Sequence, residues 1–166
     1  MLALGLHATL PWHPLATHLP TTTYPPPLPT HTVRGVPSEL FLGHPQPMEW
    51  LDFTHRLPYT STRTCRYRAR SAGHLDGLHM HLVVELDELT SIDAYRERTT
   101  WTCTYVRLFD AAHGGIWLAA GALIECVCRV DAAAHRPTYA IAVHVAHDGD
   151  ASSLRHVADC SWSGDG

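Results

Sequence analysis

Polar and apolar residues alternate most clearly between residues 73 and 110 of this 166-residue chain. Because successive side chains of a strand point to opposite faces, the period of two predicts strands at residues 79–86 and 101–108. Both runs are rich in β-branched and aromatic residues and contain no proline, which is typical of interior strands. We expect the rest of the chain to be organised around this pair.

Weaker patterns of the same kind predict the remaining strands. They lie at residues 48–53, 62–70, 123–130, 139–147 and 155–162, the last as an edge strand. Gly121 is predicted as a turn or bulge before the third of these, and residues 87–98 as a loop or a short helical turn. About six to eight strands without a convincing amphipathic helix predict an all-β fold, an antiparallel β-barrel or sandwich.

The first 30 residues differ from the rest in composition. Seven prolines lie between Pro11 and Pro29, among threonine and histidine. Proline lacks an amide donor and fixes φ, so we expect this segment to stay outside the sheets as a disordered tail. The chain is therefore divided into a flexible tail, residues 1–30, and a β-barrel domain, residues 31–166.

The charge of the chain argues against nucleic acid as a partner. The formal net charge is −4, and no basic run or domain-wide positive charge is present. All twelve basic residues are arginine. Arg66, Arg68 and Arg70 recur at period two, which is typical of one solvated strand face.

The cysteine pattern and the hydropathy indicate a compartment. The five cysteines are odd in number, widely spaced and contain no C-x-x-C pair, so we expect reduced thiols. No apolar run approaches the roughly 20 residues that span a bilayer. The first ten residues lack the charged start and long apolar core of a signal peptide. These features predict a cytoplasmic protein without a membrane partner.

Three residues of the first strand have the spacing of a metal site. His79, His81 and Glu85 share one face, so two imidazoles and a carboxylate could meet a divalent ion. With Gly73, this spacing resembles the first half of the cupin motif. The glycine expected seven positions after the glutamate is Ile92, and no second half of the motif follows. A cupin-like metal-binding barrel is therefore kept as the alternative hypothesis. The leading hypothesis rests on a second resemblance and places no metal on this chain.

A second resemblance rests on four blocks between residues 33 and 147. They read SELFLGHPQPMEWLDF at 38–53, HLDGLHMHLVVEL at 74–86, RTTWTCTYVRL at 98–108 and WLAAGALIECVCRV at 117–130. In order and spacing, these blocks resemble the C-terminal β-barrel of the protein arginine methyltransferase-like family, which is S-adenosylmethionine-dependent. The resemblance implies the β-barrel that the alternation also predicts.

The resemblance implies a substrate-side loop before the second strand. Where the family typically reads Thr-His-Trp, this chain has Thr99, Thr100 and Trp101. Trp101 would form a packing wall, and Thr100 would make a weak polar contact where the family has an imidazole. The family's aromatic pair in the preceding strand falls on residues 79–81, which is a second departure from the pattern.

The family binds its cofactor in a separate Rossmann-type domain upstream of the barrel and holds a guanidinium with two glutamates. Methyl transfer requires the donor to be aligned with its nucleophile. We expect no such βαβ unit before residue 31, and hence neither catalytic nor cofactor-binding residues on this chain. The resemblance then implies a substrate-side or dimerisation module, or a truncated remnant, that is not catalytic alone. Its partner would be a cofactor-domain protein in trans, supplying S-adenosylmethionine, or a second copy.

Overall fold

The computed structural model describes residues 2–9, 30–56, 58–109, 114–133 and 135–163. Within them, eleven strands form two antiparallel sheets, and helical structure is limited to the 3-10 turns Ser38–Leu40 and Ala151–Ser153. The predicted all-β class is confirmed. No hydrogen-bonded pairing joins the two sheets over these residues, and they pack face to face as a sandwich.

The first sheet has seven strands. They are β1 (Leu2–Thr9), β2 (Thr30–Val33), β3 (Gln46–Glu49), β5 (Gly73–Glu85), β6 (Ser91–Asp93), β7 (Cys103–Arg107) and β8 (Ile116–Leu118). Their order is β2-β7-β5-β1-β3, with β6 and β8 also pairing with β5. The long strand β5 is thus the centre of the sheet, as its alternation predicted.

The second sheet has four strands. They are β4 (Thr60–Arg68), β9 (Leu123–Asp131), β10 (Thr138–Ala146) and β11 (Arg155–Ser163), in the order β11-β10-β9-β4. The edge position predicted for the last strand is confirmed. Gly121 has φ of +87° in the turn before β9, a conformation that glycine adopts without steric cost.

The core lies between the two sheets. Leu78, Met80 and Val106 of the first sheet are buried against Cys126 and Ile141 of the second. All five cysteines are free and buried. The outward face of β4 carries exposed Arg66 and Arg68, so the predicted solvated face is confirmed.

The expectation that residues 1–30 stay outside the sheets is wrong for residues 2–9 and for Thr30, which begins β2. Residues 2–9 form β1, which pairs with β5 from Leu2↔Leu82 to Thr9↔His74 and also with β3. The physical reason is that the prolines begin at Pro11, so β1 keeps every amide donor that the ladder needs. Residues 10–29, to which the rest of the expectation applies, lie outside the described residues.

Two further predictions are corrected by the short strands. The described residues contain more strands than the six to eight expected, because residues 2–9 were assigned to the tail and the three- and four-residue strands β2, β6 and β8 are too short to show a period. The strand predicted at 48–53 ends at Glu49, and Trp50 and Phe53 are exposed in the loop that follows. Part of the loop predicted at 87–98 forms β6.

Candidate functional site

Hydrogen bonds to main-chain oxygens hold the loop of residues 99–101 (the 99–101 loop) in place. Antiparallel pairing of β2 with β7 sets Val33 opposite Cys103, so Arg34 leaves β2 beside this loop. Its guanidinium donates hydrogen bonds to the carbonyl oxygens of Thr99 at 3.0 Å and Thr100 at 3.3 Å. The Thr99 hydroxyl donates to the Trp101 carbonyl at 3.1 Å. These contacts fix the main chain and leave the side chains of Thr100 and Trp101 exposed.

A layer of imidazole and aromatic rings covers the outer face of β5. His79 and His81 are 0% and 3% exposed, on the face opposite the core residues Leu78 and Met80. The Tyr95 ring lies 5.5 Å from His79 and 5.6 Å from His81, between ring centroids. The contact between Tyr95 and His79 is edge-to-face, an arrangement that stabilises a packed layer beyond the area that it buries.

The covering segments of this layer come from distant parts of the chain. The Phe41 ring lies 5.1 Å from His79 and 5.3 Å from Tyr95, between centroids. The Tyr95 hydroxyl donates to the Val36 carbonyl at 3.1 Å. The segments around residues 36–41 and 91–97 are therefore fastened to each other over the two histidines.

Asp93 is the carboxylate that contacts this layer. Its Oδ1 atom accepts from the Tyr95 amide at 2.9 Å and lies 3.6 Å from His81 Nε2, and its Oδ2 atom lies 3.4 Å from Arg96 Nε. Burial lowers the pKa of His81, Arg96 lowers it further, and Asp93 opposes both. The His81 imidazole is therefore neutral at pH 7.

The structure separates the three residues of the alternative metal site. The rings of His79 and His81 lie 5.6 Å apart between centroids, but Glu85 is exposed at the end of β5. About 13 Å of strand separates residues 81 and 85 at the usual rise per residue. Over the described residues, no group of three His, Cys, Asp or Glu side chains is arranged to hold a metal ion.

A groove that sequence reasoning missed lies between the end of β3 and the start of β4. It encloses about 320 Å³ and is lined by residues that include Met48, Trp50, Tyr59, Arg63 and Val130. The hydrophobic residues of 48–53 were the available signal, but they were interpreted as part of a strand. Trp50, Phe53 and Tyr59 are instead 52%, 84% and 60% exposed.

Polar contacts order the loop that borders this groove. The Asp52 carboxylate accepts from the Thr54 amide at 2.9 Å and the Thr54 hydroxyl at 2.6 Å, and these bonds lower its pKa. The Arg56 guanidinium carbon lies 5.9 Å from the centroid of the Tyr59 ring. The Glu49 carboxyl, which also lines the groove, has its pKa raised by burial.

Comparison of the chain with protein-family models and with curated proteins gives no match. The two family resemblances stated from the sequence therefore stay predictions.

No helix among the described residues has the length and apolar character needed to cross a membrane.

Proposed function

We propose that this chain is a non-catalytic binding module that associates with a second copy of itself through the 99–101 loop. The observation that carries the proposal is the Arg34 clamp on the carbonyl oxygens of Thr99 and Thr100. The clamp fixes a loop whose Trp101 side chain is 42% exposed. A fixed backbone loses little entropy on association, and exposed tryptophan is enriched at the centres of interfaces.

The resemblance to the arginine methyltransferase-like family gives this proposal a class. On that interpretation, the module is the substrate-side or dimerisation part of a methyl-transfer system. Thr100 and Trp101 border the shared site, and S-adenosylmethionine is held by a partner. The described residues form strands and 3-10 turns, which is the all-β class that the resemblance implies.

Light scattering and calorimetry test the proposal together. We expect the mass of the wild-type chain to rise from monomer to dimer with concentration, and the Trp101→Ala variant to remain a monomer. Trp117→Ala is the matched control, because Trp117 is 57% exposed on β8. A monomer at every concentration would sink the dimer proposal. Tight binding of S-adenosylmethionine to that monomer would contradict the non-catalytic role.

A metal-binding function is the second candidate, and the closeness of His79 and His81 favours it. Elemental analysis of the purified protein should then find a stoichiometric divalent ion that is lost in His81→Ala. The variants Glu85→Gln and Asp93→Asn, compared with each other, identify the third ligand as the one whose substitution releases the metal. Glu85 has the spacing predicted from the sequence, and Asp93 is the carboxylate that contacts His81 in the structure. Protein that remains metal-free after incubation with Zn²⁺ would exclude this candidate.

A further inference from the structure

Among the described residues, no strand pairs with the outer edge of β4 over its first five residues. The main-chain N–H and C=O groups of the odd-numbered residues of β4 point toward β9. The hydrogen bonds at the two ends of the strand show this, since Ala132 N donates to Tyr59 O at 2.6 Å and Ala69 N donates to Ala122 O at 2.9 Å. The main-chain groups of the even-numbered residues point away from β9, since Gln46 Nε2 donates to Arg66 O and Arg70 N donates to Leu42 O.

Residues 42–47 thus cover the second half of this edge and leave the first half open. The main-chain groups of Thr60, Thr62 and Thr64 point away from β9, and no described strand pairs with them. A row of unpaired amide and carbonyl groups is a template for an added strand. The chemistry of this edge therefore specifies an extended polypeptide.

The groove described above lies beside this open edge. The Ser61 and Arg63 side chains line the groove and have the same parity as the buried Cys65 and Tyr67. Because side chains alternate along a strand, every second residue of an added strand would face the groove. The side chain of a residue opposite Ser61 would contact the apolar wall of the groove. The side chain of a residue opposite Arg63 would contact the guanidinium.

Charge decides which kind of strand fits. No described residue forms an ion pair with Arg63, so a carboxylate opposite it would gain a partner. A second copy of β4 is disfavoured, because antiparallel pairing centred on Thr62 would make the two Arg63 side chains diagonal neighbours. Like charges at that spacing destabilise a strand pair.

We propose that this edge and groove bind an extended segment of a partner protein by strand addition. The segment carries an apolar residue and an acidic residue two positions apart, so that both side chains face the groove. This surface is independent of the proposed dimer contact, because β3 and β2 lie at opposite ends of the first sheet.

The test uses a fluorescent nonapeptide in which threonine alternates with valine, leucine, glutamate and valine. Its partner probe has lysine in place of the glutamate. Fluorescence anisotropy should show saturable binding of the glutamate peptide and binding of the lysine peptide weaker by about tenfold. Arg63→Glu should reverse this preference. The matched control Arg129→Glu, on an exposed residue of β9, should leave it unchanged.

A backbone variant tests strand addition separately from charge. Thr62→Pro removes an amide that does not serve the β9 ladder, so the sheet should survive while peptide binding is lost. Equal affinity for the two peptides, full binding by Thr62→Pro, or no binding at about 1 mM peptide would overturn the proposal. Trp101→Ala should bind the peptide as the wild type does, so failure of the dimer proposal is measured independently.

Discussion

The Arg34 guanidinium lies 3.0 Å from the carbonyl oxygen of Thr99, across 65 positions of sequence. The contact exists because β2 and β7 pair and bring the end of one strand to the loop before the other. An arginine that binds main-chain oxygens fixes a loop without using the side chains of that loop. The exposed side chains of the 99–101 loop are thereby available for recognition.

Arg34→Ala should release the 99–101 loop. Hydrogen bonds to a charged donor contribute about 1.5–3 kcal/mol each, and exposure reduces this, so we expect a loss of about 1 kcal/mol. Denaturant unfolding measures the loss, and amide hydrogen exchange should accelerate at residues 99–102. Arg155→Ala is the control, because Arg155 donates only to the carbonyl of its neighbour Leu154 among the described hydrogen bonds. Equal losses in the two variants would contradict the clamp.

Gly77→Ala should destabilise the central strand. A Cβ atom at position 77 would overlap the Tyr105 ring on the neighbouring strand β7. Overpacking of a well-packed site costs about 1–3 kcal/mol. A double-mutant cycle with Tyr105→Ala checks the cause, because removal of the ring should make Gly77→Ala nearly neutral. Additive losses would mean that the ring is not the obstacle.

Acid should weaken the layer over β5 through His81. Its pKa is lowered in the folded chain, mainly by burial, so the unfolded chain binds the proton more tightly. The stability that the neutral His81 imidazole contributes is fully present above pH 6.5. It is lost as the pH falls from 6.5 towards the pKa of His81 in the folded chain. Each tenfold difference in proton affinity corresponds to about 1.4 kcal/mol.

The comparison of wild type with His81→Leu isolates this effect from the other histidines. The difference in unfolding free energy between the two proteins should shift in favour of the variant between pH 7 and pH 5. A pH-independent difference would mean that His81 titrates alike in both states.

Two core thiols, those of Cys126 and Cys160, should be inert in the folded protein. Burial raises the pKa of Cys126 well above its ordinary value and that of Cys160 to about 12. Thiolate is the species that iodoacetamide alkylates, so neither residue should be modified at pH 8 until urea is added. Mass spectrometry of proteolytic fragments reports each site. Rapid labelling of Cys126 under native conditions would show that the sheets separate readily.

The sequence was sufficient where structure follows from local pattern. Alternation located β5 and β10, and Gly121 located the turn that precedes β9. It was insufficient where pairing decides the outcome. Nothing local shows that residues 2–9 join β5, or that Trp50 and Phe53 lie at the surface.

The candidate sites were predictable to the same extent. Period two correctly placed His79 and His81 on one face, but Asp93 reaches that face from the end of β6 and Tyr95 from the turn after it. The 99–101 loop was identified by a resemblance, whereas its clamp by Arg34 depends on a long-range strand pairing. Long-range contacts of this kind leave no period in the sequence.

The proposed association is tested most directly by fluorine NMR of protein labelled with 5-fluorotryptophan. The resonances of Trp101 and Trp117 are assigned by single substitution to phenylalanine. As the protein concentration rises from monomer to dimer, the Trp101 resonance should shift and that of Trp117 should stay constant. A Trp101 resonance that is independent of concentration, while the mass still doubles, would contradict the account.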